Sequence, residues 1–444
     1  MRINDITIKN FRGFIEERRF ELDAKMNVVL GNKTMGKTTL LQAIQIALGA
    51  YLKSLSQLPS EDAFKKNFKV DDRPLVYSEA IEDFLYPTKE NPTISVHATM
   101  STIGKVEGQP FEEMEDIEWS REMKGKATVN TGGLAELVKK WEGYRIQENS
   151  ETDVVLPLVL AFGADRIDNN YKLVDKKANI SRLVKAYKCA LAETVDFKSA
   201  LAWYYNFNSK GKKSPEVEGT DIAFEKALET AARIKNIARE EGNRSFWADV
   251  IVVGANESTR LKYEMMSSGF KAMVNMVAEI AYRCIMLNRW LGRDAVRKTP
   301  GIVLIDEIDL YLHPHWQQHV LADLQEAFPA IQFVVSTHSP FIVQSVDSQN
   351  VIALDSQNAP ISPNNRGIEE ILACEMGMQG MLRSKTYRTK QELAKKYFEL
   401  VKAGKSGEAE TEEVKKKLNE LELEAGLLHD PAYEAFLKLN RGKL

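Results

Sequence analysis

Cysteine is scarce in this chain of 444 residues, with Cys189, Cys284 and Cys374 far apart and odd in number. That excludes a disulfide framework and any C-x-x-C metal site, and leaves three thiols expected to be buried. Long apolar runs are missing too, so no segment is expected to cross a bilayer. The opening Met1-Arg2-Ile3-Asn4-Asp5 has no apolar core of the kind a secretion signal needs, which points to the cytosol. Charge of one sign is also lacking: 60 basic against 63 acidic residues give a net charge of −3. Attraction of the whole surface to nucleic acid is thereby excluded, and only a local basic patch could supply it. No heptad pattern is sustained, which excludes a long coiled coil.

What is present begins at Met26. The run Met26-Asn-Val-Val-Leu-Gly31-Asn32-Lys33-Thr34-Met35-Gly36-Lys37-Thr38-Thr39 sets G-x-x-x-x-G-K-[ST] between an apolar strand and a helix whose apolar face continues through Leu40, Leu41, Ile44 and Leu48. Such a loop turns several backbone N–H groups toward one point, and the helix dipole adds positive potential there, so a nucleotide's phosphates are its natural ligand. Lys37 is placed to reach the β- and γ-phosphates, and the Thr38 hydroxyl to ligate the magnesium ion that bridges them.

Far downstream, Gly301-Ile-Val-Leu-Ile305-Asp306-Glu307 reads as an apolar strand ending in two carboxylates. Asp306 is expected to hold magnesium through water, and Glu307 to orient the water that attacks the γ-phosphate. The next strand, Gln332 to Ser336, runs into Thr337-His338-Ser339-Pro340 and brings the His338 imidazole to the same sheet edge, within reach of the γ-phosphate or the attacking water. Between these two halves, Met265-Met266-Ser267-Ser268-Gly269 opens a long helix with an apolar face from Met273 to Cys284. His315 and His319 share a helix face, but no carboxylate or thiol completes a tetrahedral set, so a transition-metal site is not expected.

In this order of motifs the chain resembles the ATP-binding-cassette (ABC) ATPases, in the soluble branch that includes structural-maintenance-of-chromosomes (SMC) heads and RecF-like proteins. Asn10-Phe11-Arg12-Gly13-Phe14 adds to the likeness. Leu156 to Arg166, Phe197 to Trp203 and Leu304 to Gln317 are similar to the compact ATPases of bacterial phage-defence operons, the Septu-type and retron-associated kind. The resemblance implies an α/β fold, an ABC-type P-loop head of mixed sheet with flanking helices. It implies ATP and Mg2+ as ligands, hydrolysis to ADP and phosphate, and a homodimer or higher oligomer that clamps nucleotide head to tail. Ser267 and Gly269 would then meet the γ-phosphate bound by a second copy, and Arg12 would lie near the phosphates. A separate effector, a nuclease, held in a toxin–antitoxin-like arrangement, completes the expectation, since no nuclease constellation is apparent in this chain. Two other readings stay open: a non-catalytic ATP-bound scaffold that sequesters a toxin, and a RecF-like DNA-repair ATPase.

The chain departs from that pattern where Lys33-Thr34 stands in the phosphate loop in place of Asn-Gly, and where methionine opens the Ser-Gly signature. Both departures favour slow hydrolysis over lost binding, because turnover also needs an accurately closed dimer.

The expected organisation is a head built from 1–60, with the phosphate loop, and 251–357, with signature, acidic strand and histidine. An insertion, 61–250, comes between them, and a helical partner-docking region, 358–444, follows. In the insertion, strands are expected at Thr93–Thr102 and Val154–Phe162 and helices at Ile180–Lys188, Phe197–Phe207 and Ile222–Glu241, making a compact helical lobe. Lysine clusters near Lys65, Arg182 and Lys210, with Tyr187, Trp203 and Tyr204 nearby, leave nucleic-acid contact possible; solvated helix faces over buried aromatics are the commoner arrangement. Past Pro363, stripes at Leu393, Tyr397, Leu400, Val401 and at Val414, Leu418, Leu421, Ala425 read as a helical hairpin that packs on its own domain or presents a groove to a partner.

Overall fold

The computed structural model describes residues 1–31, 36–78, 83–86, 90–106, 109–146, 153–164, 181–209, 219–239, 246–251, 258–354, 363–374, 376, 385–404 and 408–425. They fall into two compact units, Met1–Ile371 and Leu372–Leu444.

The first unit is a mixed α/β head. Five short strands pair in parallel in the order Leu158–Phe162, Gly301–Ile305, Ile331–Ser336, Met26–Leu30 and Val351–Ala353. The first four are buried at every position, which is why they read as unbroken apolar runs. Parallel pairing sends all their carboxyl ends to one edge, where an open α/β sheet binds its ligands.

A second, antiparallel sheet orders Arg18–Glu21, Arg2–Lys9, Thr93–Val106, Gln109–Lys124 and Ala127–Gly132, with Asp153–Val154 beside the third. Buried Gln332 joins the two sheets. Its amide accepts from Ile3 N at 2.8 Å and donates to Ile3 O at 2.8 Å and Asp23 O at 2.7 Å. The helix after the phosphate loop, Lys37–Ser54, is buried almost throughout from Leu40 to Leu52. From the antiparallel sheet it receives Trp119 Nε1 on Ala47 O at 3.0 Å and the buried Arg121 guanidinium on Ile46 O. Burial pulls the Arg121 pKa down to about 10.

The signature helix, Ser268–Asn288, is buried on all sides from Ala272 onward and forms the second axis of the core. Within it the buried pair Glu279–Arg283 fastens the neighbouring segments. Glu279 accepts from Arg283 Nε at 2.9 Å and from Asp196 N at 2.6 Å, while Arg283 donates to Ala186 O and to Lys188 O at 3.0 Å.

Three local expectations change. Val154–Phe162 is not one strand: Pro157 interrupts it, and its halves join different sheets while Asn288 pairs with the Leu156 backbone in between. The helix expected over Ile222–Glu241 is Thr220–Ala231 only, and Ile234–Arg239 is a strand. Arg233 breaks the helix at φ 52 with its guanidinium on Asp323 at 2.9 and 3.1 Å, and pairing with Phe246–Ile251 then overrides helix propensity. With Ser258–Lys262 this makes a three-stranded antiparallel sheet, so the 61–250 span is less helical than its pattern implies. That span also supplies the Leu158–Phe162 edge strand of the parallel sheet. The aromatic residues near the basic clusters point inward. Tyr187 and Tyr204 are buried, and Trp203 packs edge-on against Phe224 at 5.4 Å.

Cys284 is buried and its thiol is pushed up by desolvation, whereas Cys189 is only partly covered. No helix among the described residues is long and apolar enough to cross a membrane.

Among the described residues of the second unit are the long helices Lys385–Lys402 and Ala409–Ala425, bridged by Lys396 Nζ and Glu410 Oε1 at 2.8 Å. Gly404 ends the first with φ 78. Thr411 and Val414 are buried, and the side chains of Leu418, Leu421 and Ala425 lie outside the described residues.

Candidate functional site

At the carboxyl edge of the parallel sheet the strand ends Gly31, Gly163, Asp306 and Thr337 come side by side. Gly36 takes φ 98 as the N-cap of the loop helix, a conformation that side chains resist, and an added Cβ would meet the Phe14 ring at 3.1 Å. Lys37 is buried, and its ammonium donates to Gly31 O across the loop. Asn32, Lys33, Thr34 and Met35 lie outside the described residues.

Exposed Thr38 donates its hydroxyl to Asp306 Oδ2 at 2.9 Å. The other oxygen, Oδ1, accepts from Ser336 Oγ, and Ser336 Oγ in turn accepts from Glu307 N at 2.8 Å. Ser336 O receives Ile308 N at 3.0 Å. One serine at the end of the neighbouring strand thus orients the aspartate and turns the chain, which lets Glu307 adopt φ 49. That left-handed conformation costs on the order of 1 kcal/mol for a non-glycine residue.

Magnesium fits the pair. Hydroxyl and carboxylate oxygens are its preferred ligands, and Thr38 and Asp306 bring one of each to the same point.

Asp309 organises the histidine segment. Its Oδ1 accepts from Thr337 Oγ1 at 2.5 Å and His338 N at 3.2 Å. Ser339 Oγ then donates to Gln317 Oε1 at 2.6 Å, and the Gln317 amide holds Leu312 O at 2.8 Å. The run from Ile308 to Trp316 is thereby tied to the His338 turn.

Ser267 and Gly269 are placed differently. Ser267 caps the signature helix by accepting from Phe270 N at 3.4 Å. Gly269 is a close-approach glycine, because an added Cβ would stand 2.5 Å from Tyr311 O. Both line a cleft of about 320 Å3 with Phe270, Tyr311, His313 and Trp316. His315 and His319 lie ring to ring at 5.1 Å, and no group of three or more metal-ligating side chains occurs among the described residues.

Arg12, also at φ 49, reaches from the opening hairpin to the loop helix. It donates Nε to Asp72 Oδ1 at 2.7 Å and Nη1 to Gln42 Oε1. Gln42 stands one turn after Thr38, and its Nε2 lies 3.3 Å from Glu193 Oε1. Sequence reasoning singled out none of Ser336, Asp72, Gln42 and Glu193. Ser336 adjoins the Thr-His-Ser run and Gln42 follows Thr38 by one helical turn, so both were within reach, whereas Asp72 and Glu193 are brought in only by the chain's return path.

An AAA-domain family model matches residues 5–243. A second AAA-domain model, associated by its description with the AbiEii toxin of type IV toxin–antitoxin systems, matches 146–344. The chain is 23% identical to the retron Vc95 probable ATPase of Vibrio cholerae, over 94% of this chain and 86% of that one. It is 24% identical to the Septu protein PtuA of Bacillus thuringiensis, over 77% and 73%. The SMC head domain of Thermotoga maritima aligns at a TM-score of 0.42 and 14% identity, over 78% of this chain and 93% of that one. With the first model covering more than half of its length, the chain belongs to the AAA-domain family of P-loop ATPases and resembles, within it, the ABC/SMC-like ATPases of retron and Septu defence systems.

Proposed function

We propose that the protein binds Mg-ATP at the carboxyl edge of its parallel sheet and hydrolyses it slowly, in a head-to-tail homodimer that restrains or releases a separate effector in anti-phage defence. The Thr38–Asp306 contact at 2.9 Å carries this reading, because it joins a phosphate-loop hydroxyl to an acidic strand end 268 residues away in sequence. Lys37 and the loop N–H groups would neutralise the phosphates, and Thr38 with Asp306 would hold a magnesium ion, which when bound would supply charge stabilisation there. Glu307 orients the attacking water, His338 hydrogen-bonds the γ-phosphate or that water, and Ser267 and Gly269 of a second copy close the site. Gly31, Asn32, Lys33, Thr34, Met35, Gly36 and Thr39 complete the cradle, and Arg12 approaches the phosphates from the opening hairpin. The names of the retron and Septu relatives favour defence as the setting; a nuclease as the effector and the cytosol as the place are part of the proposal and rest on the sequence and its resemblance alone.

Glu307→Gln is expected to keep ATP affinity while turnover falls by ~100-fold or more, the range for losing a general base. Single-turnover phosphate release measures the turnover, and equilibrium binding of a fluorescent ATP analogue the affinity. Turnover equal to wild type would remove Glu307 as the base. Absence of turnover in the wild type, with and without effector and nucleic acid, would leave the ATP-bound scaffold as the better description.

A further inference from the structure

Arg12 is held more firmly than an exposed hairpin residue needs to be. Its backbone N donates to Asp72 O at 2.8 Å, and its Nε and Nη2 both reach Asp72 Oδ1 at 2.7 Å. Nη1 goes to Gln42, and the guanidinium lies 5.3 Å from the Phe11 ring centre. Asp72 is only 1% exposed and is itself fixed, with Oδ2 accepting from Lys69 N at 2.7 Å and its backbone N donating to Lys69 O at 3.0 Å. A buried carboxylate locked by its own turn, gripping an arginine in a left-handed conformation, is an arrangement that sets direction. An arginine has five N–H donors. Among the described residues three are accepted by Asp72 and Gln42, which leaves two on the outer nitrogens of a side chain that is one-third exposed. Those two stand beside Gln42, one helical turn, ~5.4 Å, beyond Thr38.

We propose that Asp72, outside every nucleotide-binding motif, is a positioning residue that with Gln42 fixes the Arg12 guanidinium so that its outer N–H pair faces the phosphates of bound ATP. The proposal rests on the reading of Arg12 as a phosphate-facing cation. Preorganisation is the physical gain. A long arginine side chain ordered before ligand arrives loses less conformational entropy on binding, and its fork is already aligned for an anion.

The test is equilibrium binding of a fluorescent ATP analogue, with magnesium, to the full chain. Asp72→Asn keeps an acceptor for Lys69 N but removes the charge, and Gln42→Ala removes the second acceptor from a helix position that tolerates alanine. Each is expected to weaken binding by about three- to tenfold, as loss of one hydrogen bond of ordinary net strength implies. Arg12→Ala is expected to weaken it at least as much, and adding Asp72→Asn or Gln42→Ala to it is expected to change nothing further. Melting of the nucleotide-free variants checks that each is folded. Equal weakening by Asp72→Asn with and without Arg12 overturns the proposal, since Asp72 would then act on the fold. Tighter binding in Asp72→Asn overturns it as well, because the carboxylate would be withholding the arginine. If Arg12→Ala binds like wild type while Lys37→Ala does not, the phosphate-facing reading of Arg12 fails and the proposal with it. If Lys37→Ala also binds like wild type, the nucleotide site itself is misread.

Discussion

Glu193 sits at φ 62 beside the end of the Leu158–Phe162 strand, with its carboxylate turned toward the loop helix. Burial opposes its charge, but the Lys66 ammonium and the Gln45 and Gln42 amides outweigh that and hold its carboxyl below the ordinary value of 4.5. A carboxyl lowered on folding adds stability that is complete above its unfolded pKa and drains away as pH falls through the folded value. The urea midpoint of the wild type should therefore fall more steeply than that of Glu193→Gln as pH is lowered through the ordinary value of 4.5 and below it. Parallel profiles would show that Glu193 titrates alike in both states. At this scale the sequence discloses residue types and spacing: a lysine and a threonine after glycine, two acids after an apolar strand. It does not disclose partners such as Ser336 and Asp72. A serine after a valine run and an aspartate in a polar segment carry no pattern that sets them apart until distant strands are paired.

Elements were readable wherever a period was unbroken. Three of the four buried parallel strands and the long signature helix follow from apolar runs and 3.6-residue repeats, whereas the run over Val154–Phe162 hides the break at Pro157. The segment after Ala231 was not readable, because its lysine and arginine suit a helix as well as a strand and only the neighbouring strand Phe246–Ile251 decides. The signature helix also carries a cost that its pattern hides, the ionic pair Glu279–Arg283 in its buried centre. Truncating one member leaves the other charged and uncompensated, so Glu279→Ala is expected to destabilise the head by about 3–5 kcal/mol in chemical denaturation. A loss below about 1 kcal/mol would mean that water or a rearranged backbone satisfies Arg283.

On the scale of the whole molecule the proposed site is half a site, because Ser267 and Gly269 line their own cleft with Tyr311 and Trp316. Light scattering of Glu307→Gln with Mg-ATP is expected to report a doubled mass, and Lys37→Ala under the same conditions a monomeric one. An unchanged mass for Glu307→Gln would remove the head-to-tail dimer from the proposal. The defence setting rests on relatives' names and on the likeness of segments such as Leu304 to Gln317, since nothing in the packing of a head specifies its effector.

The class of fold and the chemistry available to it are legible in the linear order of residues, because hydrophobic period and the phosphate-loop pattern are local properties that survive without neighbours. How that chemistry is aimed follows from the folded arrangement alone. Thr38 meets Asp306, Ser336 turns Glu307, and Asp72 grips Arg12 because parallel strand pairing and a buried turn bring distant residues within hydrogen-bond reach. Such contacts depend on register and burial, which a linear pattern does not encode.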